Sequence, residues 1–432
     1  MKLKALSTAI ILAALPTAGA FAAALDRSGQ SIAAFLQPGN YFEAGISVLD
    51  PNVSGKVKNG YTPSPTASPA AVGLQNTNLG DMAGDYYFPS AALKLQLTDN
   101  FSFGLIYDQP FGADASYSLA DKASAALGGA GLFHLNGEAT EVDVTTENLS
   151  FIFGFQPIEN INLYGGAVYQ TVKGDIQLRG QAYGSAAGLG KYNADVDKDS
   201  AVGWLAGAAY QIPDIALKAS VTYRSEIKHE AATHEYGQSN ILALVSGNPA
   251  NAIIDAHSKT KITTPQSVNL DFQTGVMANT VAFANLRWVN WKDFSIRPEQ
   301  FDKVGKTLGA AGQTPDNPKG FDLVGYTDDQ ITATVGVGRK FNDKWAGNVS
   351  VGWDSGAGNP VSTLGPTEGY WNVGLGLQFS PAPNYFIAGG VKYFMLGDAD
   401  AQPASMFGTK NAIAEFEDND AWGYGLKIGY KF

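Results

Sequence analysis

The sequence predicts an all-β membrane protein, a transmembrane antiparallel β-barrel of about fourteen strands. Three observations carry this. The last stretch puts Trp422, Tyr424, Leu426, Ile428, Tyr430 and Phe432 on one face and Gly423, Gly425, Lys427, Gly429 and Lys431 on the other. The same period-2 alternation recurs along the chain, with short Pro/Asn/Asp connections taking turns with long ones. Past the N-terminus no stretch is apolar enough for a membrane helix, and the mean hydropathy is −0.09 with 50 Gly and 19 Tyr. Hydrocarbon offers no partner to unpaired backbone groups, so a membrane reading of this chain means a closed barrel.

The elements follow in order. Residues 1–22 begin with Lys2 and Lys4, continue through the apolar run Ala9–Leu15 and end in small-residue cleavage options at Ala18-Gly-Ala20 and Ala20-Phe-Ala22. They read as a secretory signal peptide, because the apolar run is shorter than the roughly 20 residues of a spanning helix. Residues 23–40 lack alternation, carry a small-residue helical stretch and stop at Pro38-Gly39. A barrel this wide is not filled by its own side chains, so the segment is expected to fold back into the lumen as a hatch. The barrel itself is expected over 41–432.

Short connections fall at 98–100, 157–160, 213–214, 277–279, 342–344 and 381–384. Long ones fall at about 57–83, 112–139, 179–197, 231–258, 295–329, 355–369 and 397–419. Short turns on one side and long loops on the other predict a bacterial outer-membrane barrel, turns periplasmic and loops extracellular. Single strands agree. On 371–379, Trp371, Val373, Leu375, Leu377 and Phe379 oppose Asn372, Gly374, Gly376 and Gln378, and 345–354 and 267–273 alternate likewise. Trp345 and Trp353 stand where interfacial girdles would lie. The rival architecture is a secreted soluble β-sandwich.

Composition excludes several classes. With no cysteine there are no disulfides or thiolate metal sites, and a net charge of −11 argues against nucleic acid. The four histidines, His134, His229, His234 and His257, lack metal-ligand spacing. No Gly-x-Ser-x-Gly elbow or phosphate loop occurs, so no enzyme and no cofactor are expected. A triad assembled from distant strands, as in an outer-membrane phospholipase, is the enzymatic alternative.

Longer stretches carry a resemblance. Gly203–Gln211 followed by Ala219–His229, Thr264–Leu270 with Leu286–Phe294, and Gly358–Val361 before Tyr370–Gly376 together resemble signatures of the long-chain fatty acid transporter family, FadL and the related aromatic-hydrocarbon channels. The text around Leu364-Gly-Pro366 departs from the usual form. The resemblance implies a fourteen-stranded barrel with an N-terminal hatch. It also implies passive uptake of fatty acids or other hydrophobic molecules, caught at extracellular loops and released sideways through a gap in the wall. A general diffusion porin for small polar solutes is the alternative, which charged constrictions and the lack of a plug would mark.

The resemblance also implies site residues. The kinked third strand would be Phe101–Gly112, where Gly104 lacks a side chain, Pro110 lacks a ladder donor and Gly112 follows, so these three are the lateral-gate candidates; the alternative is that Pro110 and Gly112 only begin the long loop. The loops 124–133 and 182–190 are unusually apolar, which makes Leu127, Leu132, Phe133, Tyr183 and Leu189 candidates for a capture groove; the alternative is that the two loops pack on each other as a lid. Arg224 and Lys228 share the face opposite Val221 and Tyr223, with Glu226 between them, and are candidates either for a carboxylate head or for a structural charge ladder. Lys173, Arg287 and Lys392 are weaker candidates. No lysine matches the family's on 330–340, and the hatch lacks the family's Asn-Pro-Ala triplet, Gln37-Pro-Gly-Asn40 being nearest. Expected partners are a hydrophobic small molecule, outer-membrane lipid and lipopolysaccharide, and the barrel assembly machinery that reads Phe432. The chain is expected to act as a monomer.

Overall fold

A computed structural model describes residues 25–59, 74–117 and 131–432. Its strands are β1 (Tyr41–Asn52), β2 (Tyr86–Gln96), β3 (Phe101–Asp108, continued by Gly112–Ser116), β4 (Glu141–Ile158), β5 (Ile161–Arg179), β6 (Lys191–Ile212) and β7 (Leu217–Arg224, continued by Ile227–Gln238). They go on through β8 (Ile253–Thr264, continued by Ser267–Met277), β9 (Thr280–Val289), β10 (Gln330–Lys340), β11 (Trp345–Asp354), β12 (Tyr370–Ala382), β13 (Tyr385–Leu396) and β14 (Asp420–Lys431). Each pairs antiparallel with the next. The sheet closes where β1 meets β14, Tyr41 opposite Lys431 and Asn52 opposite Asp420. This is the fourteen-stranded barrel that the alternation predicts.

The two faces of the wall differ as a lipid-solvated barrel requires. On β12, Trp371, Val373, Leu375 and Leu377 are exposed, while Asn372 and Gln378 are buried. Outward aromatic pairs mark both edges of the apolar band. Phe101–Phe155 (5.1 Å) and Trp345–Phe379 (4.8 Å) lie on the short-turn side; Trp204–Tyr223 (5.0 Å) and Tyr393–Trp422 (4.9 Å) lie on the loop side. No described helix is long and apolar enough to cross a membrane.

Strands β4 to β8 continue past the loop-side girdle and support an apolar cap. Two helices stand in it, α1 (Asn240–Ser246) and α2 (Glu299–Ala310). The α2 helix buries Phe301, Val304 and Leu308, spaced for one helical face. Its first amides are held by buried Glu235, whose carboxylate accepts from Gln300 N (2.9 Å) and Phe301 N (2.8 Å). A carboxylate there satisfies helix-end donors and meets the positive end of the helix dipole.

Three strands are interrupted: β3 at 109–111, β7 at 225–226 and β8 at 265–266. Each interruption resets which face a residue occupies. On β7, Thr222 and Arg224 are buried below the break, and Ile227, His229 and Ala231 above it. The expectation that Arg224 and Lys228 share a face fails for this reason. Arg224 points inward; Lys228 points outward, its side chain 74% exposed and paired with Glu226.

Candidate functional site

Residues 25–40 lie against the inner face of the barrel. Phe35 is 1% exposed and fills a socket formed by two wall glycines: a Cβ on Gly104 would collide with its ring, and one on Gly154 would come within 2.8 Å. Ile32 and Leu36 join Phe35 in a small apolar cluster with Ile152, Tyr164 and Leu205. The expected helical stretch is only a turn, with Phe35 N and Leu36 N both donating to Ile32 O before Pro38 ends it. Lys94 Nζ donates to Gln37 O (2.8 Å) and Lys218 Nζ to Leu36 O (3.1 Å), so two lumen lysines cap that turn. Sequence reasoning missed both lysines. Their signal was a charged residue on the inward phase of a strand.

A buried ion pair ties the start of the segment to β9. Arg287 Nε lies 2.7 Å from Asp26 Oδ2, with side chains 3% and 2% exposed. The guanidinium also donates to Asn269 Oδ1 (2.7 Å) and Gln30 Oε1 (3.0 Å). Removing one member of so buried a pair leaves the other charge without its counter-charge, which is what makes the loss costly.

The same segment meets the break in β3. Ladder pairs join β2 and β3 from Ala91/Tyr107 to Gln96/Ser102, and an isolated bridge joins Ala83 to Ala115. Among the described residues, 84–90 and 108–114 form no ladder pair with each other; Gly84 N donates to Asp114 O (3.4 Å), and the Tyr86 hydroxyl crosses the interval by donating to Asp114 O (2.6 Å) and accepting from Asp114 N (2.8 Å). The N-terminal segment occupies this seam: Arg27 N donates to Pro110 O (2.6 Å), Gly112 N to Leu25 O (2.9 Å), and Asp26 bridges Phe111. Arg27 adds an Nε bond to Gly112 O (2.5 Å), and its guanidinium lies 3.6 Å from the centre of the Tyr86 ring. Pro110 and Gly112 thus sit at the seam. Gly104 lies below it, in the ladder opposite Lys94, and serves Phe35.

Two narrow pockets open beside the seam. One is walled by Leu25, Phe111 and Val144 on the β3 side and by Val196, Ile262 and Pro265 on the far side. The other reaches from Arg27, Met82 and Tyr86 to Tyr326, Leu364 and Pro366. The second lies next to Glu368, in the loop between β11 and β12. Burial pushes this carboxyl up to about 7, because only backbone N–H groups, among them Gly358 N at 3.2 Å, oppose its desolvation.

The loop residues expected in a groove are buried instead. Leu132 and Phe133 are fully covered, Tyr183 and Leu189 nearly so, and Leu127 lies outside the described residues. Phe133 stacks on Tyr117 at 3.9 Å, and the Tyr183 hydroxyl lies 3.0 Å from Thr363 Oγ1. The two apolar loops pack on each other and on the 355–369 loop. The exposed apolar surface of the cap is elsewhere, on α1 and the start of β8, where Leu244, Val245 and Ile253 are 77%, 61% and 63% exposed. Nothing in a seven-residue stretch such as Asn240–Ser246 tells which apolar residues are covered.

Of the basic candidates, Arg224 is buried and its Nη1 has no hydrogen-bond partner, Arg287 is neutralised by Asp26, and Lys392 is buried in the wall. Lys173 faces outward and pairs with Asp175 at 2.8 Å. Among the described residues no three carboxylates or imidazoles gather as a metal site.

A family model described as outer membrane protein transport protein (OMPP1/FadL/TodX) matches residues 22–432. The fold is similar to the crystal structure of a Pseudomonas aeruginosa FadL homologue, at 16% identity and TM-score 0.67, covering 93% of this chain and 92% of that one. It is similar to the Pseudomonas putida toluene transporter TodX, at 11% identity and TM-score 0.60, with 92% and 91% covered. The Ralstonia pickettii toluene transporter TbuX aligns at 10% identity and TM-score 0.54, with 99% and 100% covered. No curated protein sequence matches this chain.

Proposed function

We propose, for a chain that belongs to the OMPP1/FadL/TodX family of outer membrane transport proteins, that a hydrophobic ligand leaves this barrel sideways through the β2–β3 seam. The protein is an outer-membrane channel for hydrophobic substrates. The observation that carries lateral release is the seam itself: wall strands in register but unpaired, plugged by Leu25–Arg27 and adjoining both apolar pockets. Its lower end lies within the apolar band, since Phe88 and Ser47 pair below the level of Asp50 and Trp422. A ligand passing there meets lipid tails and avoids the lipopolysaccharide layer.

In this reading residues 25–40 are the hatch. Capture begins on Leu244, Val245 and Ile253, where each Å² of apolar surface withdrawn from water contributes about 25 cal/mol. The buried loops 131–133 and 182–189 act as a lid over the pockets, and Leu132, Phe133, Tyr183 and Leu189 contribute to ligand contact only when that lid parts. Long-chain fatty acid is the ligand class we favour, because the unpartnered Arg224 Nη1 is a buried cation able to take a carboxylate. Neutral hydrocarbon is the second reading, supported by the apolar lining of the first pocket. No proton or ion gradient is required, as burial of the ligand supplies the drive. Lipid and lipopolysaccharide surround the barrel, and the assembly machinery reads Phe432.

Uptake of labelled oleate and labelled toluene into proteoliposomes, set against swelling with polar solutes, tests the reading. Oleate entry that falls in Arg224→Leu while toluene entry holds supports the acid. Swelling by sugars at porin rates, without either hydrophobic flux, would overturn the transport reading.

A further inference from the structure

We propose that the wall holds a second lateral passage for hydrophobic ligands, between β6 and β7, kept shut by the His229 side chain. The inference rests on the transport reading above. Ladder pairs join Tyr192–Val196 to Thr233–Gly237 and Leu205–Ile212 to Leu217–Arg224, and Ser225 N donates to Trp204 O at 2.9 Å. Between them, residues 197–203 and 226–232 form no ladder pair with each other among the described residues, although the register is the same on both sides. At about 3.3 Å per residue the seam runs roughly 20 Å. A wall that keeps register across such an interval gains hydrogen bonds by closing, so leaving it open needs another tie.

Side chains supply that tie. His229 is 1% exposed, and its ring reaches Asp199 Oδ2 on β6 (Nδ1, 3.0 Å) and Gln170 Oε1 on β5 (Nε2, 3.1 Å). Gln170 is in turn bonded by Thr264 Oγ1 of β8 (2.6 Å) and donates to Asn148 Oδ1 of β4 (2.8 Å). Ile227 covers Gly203 from the opposite strand, 2.5 Å from where a Cβ would stand. A polar ring is a poor sealant for an apolar wall, but a hydrogen-bonded one can release and reseat without unpairing a strand.

What lies on either side fits a passage. Inside is the first apolar pocket, whose far wall is Val196, Ile262, Thr264 and Pro265 and whose near wall is Leu25 and Phe111 at the β2–β3 seam. One pocket therefore adjoins the β2–β3 seam and reaches Val196, at the upper end of the β6–β7 interval, and Ile262, which pairs with His229. Outside, the lower end opens at the girdle beside Val202 and Trp204, exposed by 68% and 50%. The adjoining breaks at 225–226 and 265–266 leave the upper segments of β7 and β8 paired to each other as one ribbon, tied back to β6 at Thr233–Gly237, so the interval can widen only between that tie and Ser225.

The chain has no cysteine, so each seam can be bridged selectively. Gly203→Cys with Ile227→Cys spans β6–β7, and Gly84→Cys with Asp114→Cys spans β2–β3, where a Cβ on Gly84 approaches Asp114 Cγ at 2.7 Å. Labelled oleate and toluene uptake into proteoliposomes is compared oxidised and reduced, with heat-modifiability confirming insertion. Each bridge alone is expected to lower uptake by about half, and both together to bring it to the level of empty vesicles. In the β2–β3-bridged protein, His229→Ala is expected to raise uptake several-fold. The second passage is overturned if the β2–β3 bridge alone abolishes uptake and His229→Ala leaves it abolished. Absence of uptake by the cysteine-free protein would instead overturn the transport reading, and the passage with it.

Discussion

The two seams of this barrel interrupt the same kind of ladder and are filled by different means. Between β2 and β3 the filling is led by backbone: Leu25 and Arg27 pair with Gly112 and Pro110 as a stand-in strand anchored by Phe35 and Asp26, with the Arg27 side chain and the Tyr86 hydroxyl beside it. Between β6 and β7 the filling is side chain: His229, Asp199 and Ile227. Backbone filling comes from a segment far away in sequence, so it can be withdrawn as a unit. Side-chain filling belongs to the wall and yields only by local rearrangement. One arrangement makes a removable plug, the other a latch.

The sharpest way to break the contrast is Phe35→Ala. Emptying the Gly104–Gly154 socket is expected to cost up to about 5 kcal/mol of segment docking. Protease cleavage within 25–40 and single-channel conductance should both rise while barrel insertion holds; unchanged protection would mean the segment is held without its aromatic anchor.

Asp26→Asn comes next, at about 3 kcal/mol, since it leaves Arg287 buried without its counter-charge. Conductance should again rise, and the double change Asp26→Asn with Arg287→Met should recover part of the loss. If the single change is silent, the ion pair is dispensable and the backbone bonds alone hold the seam.

Acidity sharpens the comparison. The Glu368 carboxyl titrates near 7 in the folded loop against an ordinary 4.5, so stability is full below 4.5 and is lost as pH rises toward 7. The loop beside the β2–β3 pocket is expected to loosen as pH rises from 4.5 to about 7 and then to level off, on the order of 2 kcal/mol. Hydrogen exchange at 355–369 reads this directly. Glu368→Gln should flatten the dependence, and a flat wild-type profile would place the ionised form in a better-solvated setting.

The smallest effect is expected at the cap. Leu244→Ser with Val245→Ser removes exposed apolar surface and should weaken capture of dilute oleate by about 1–2 kcal/mol, with thermal stability unmoved. Equal binding in the double variant would shift capture to another loop.

Much of this was legible in the chain itself. Alternation is a local property with a period of two, so Trp422–Phe432, the strand count, the long-and-short loop rhythm and the outward apolar band all follow from neighbours in sequence. Pro110 likewise announced a break, because a residue without an N–H cannot serve a ladder on both sides. Only the tertiary structure decided how phases run after a break. Residues 225–226 and 265–266 shift the alternation, which turned Lys228 outward and His229 inward. It also decided that the apolar loops bury Leu132 and Phe133 while Leu244 stays bare, since an apolar residue reads the same whether a partner loop or a ligand covers it. And it brought Phe35 to Gly104 and Gly154, and Asp26 to Arg287, because pairing between residues so far apart in the chain is settled by barrel closure, which no local pattern encodes.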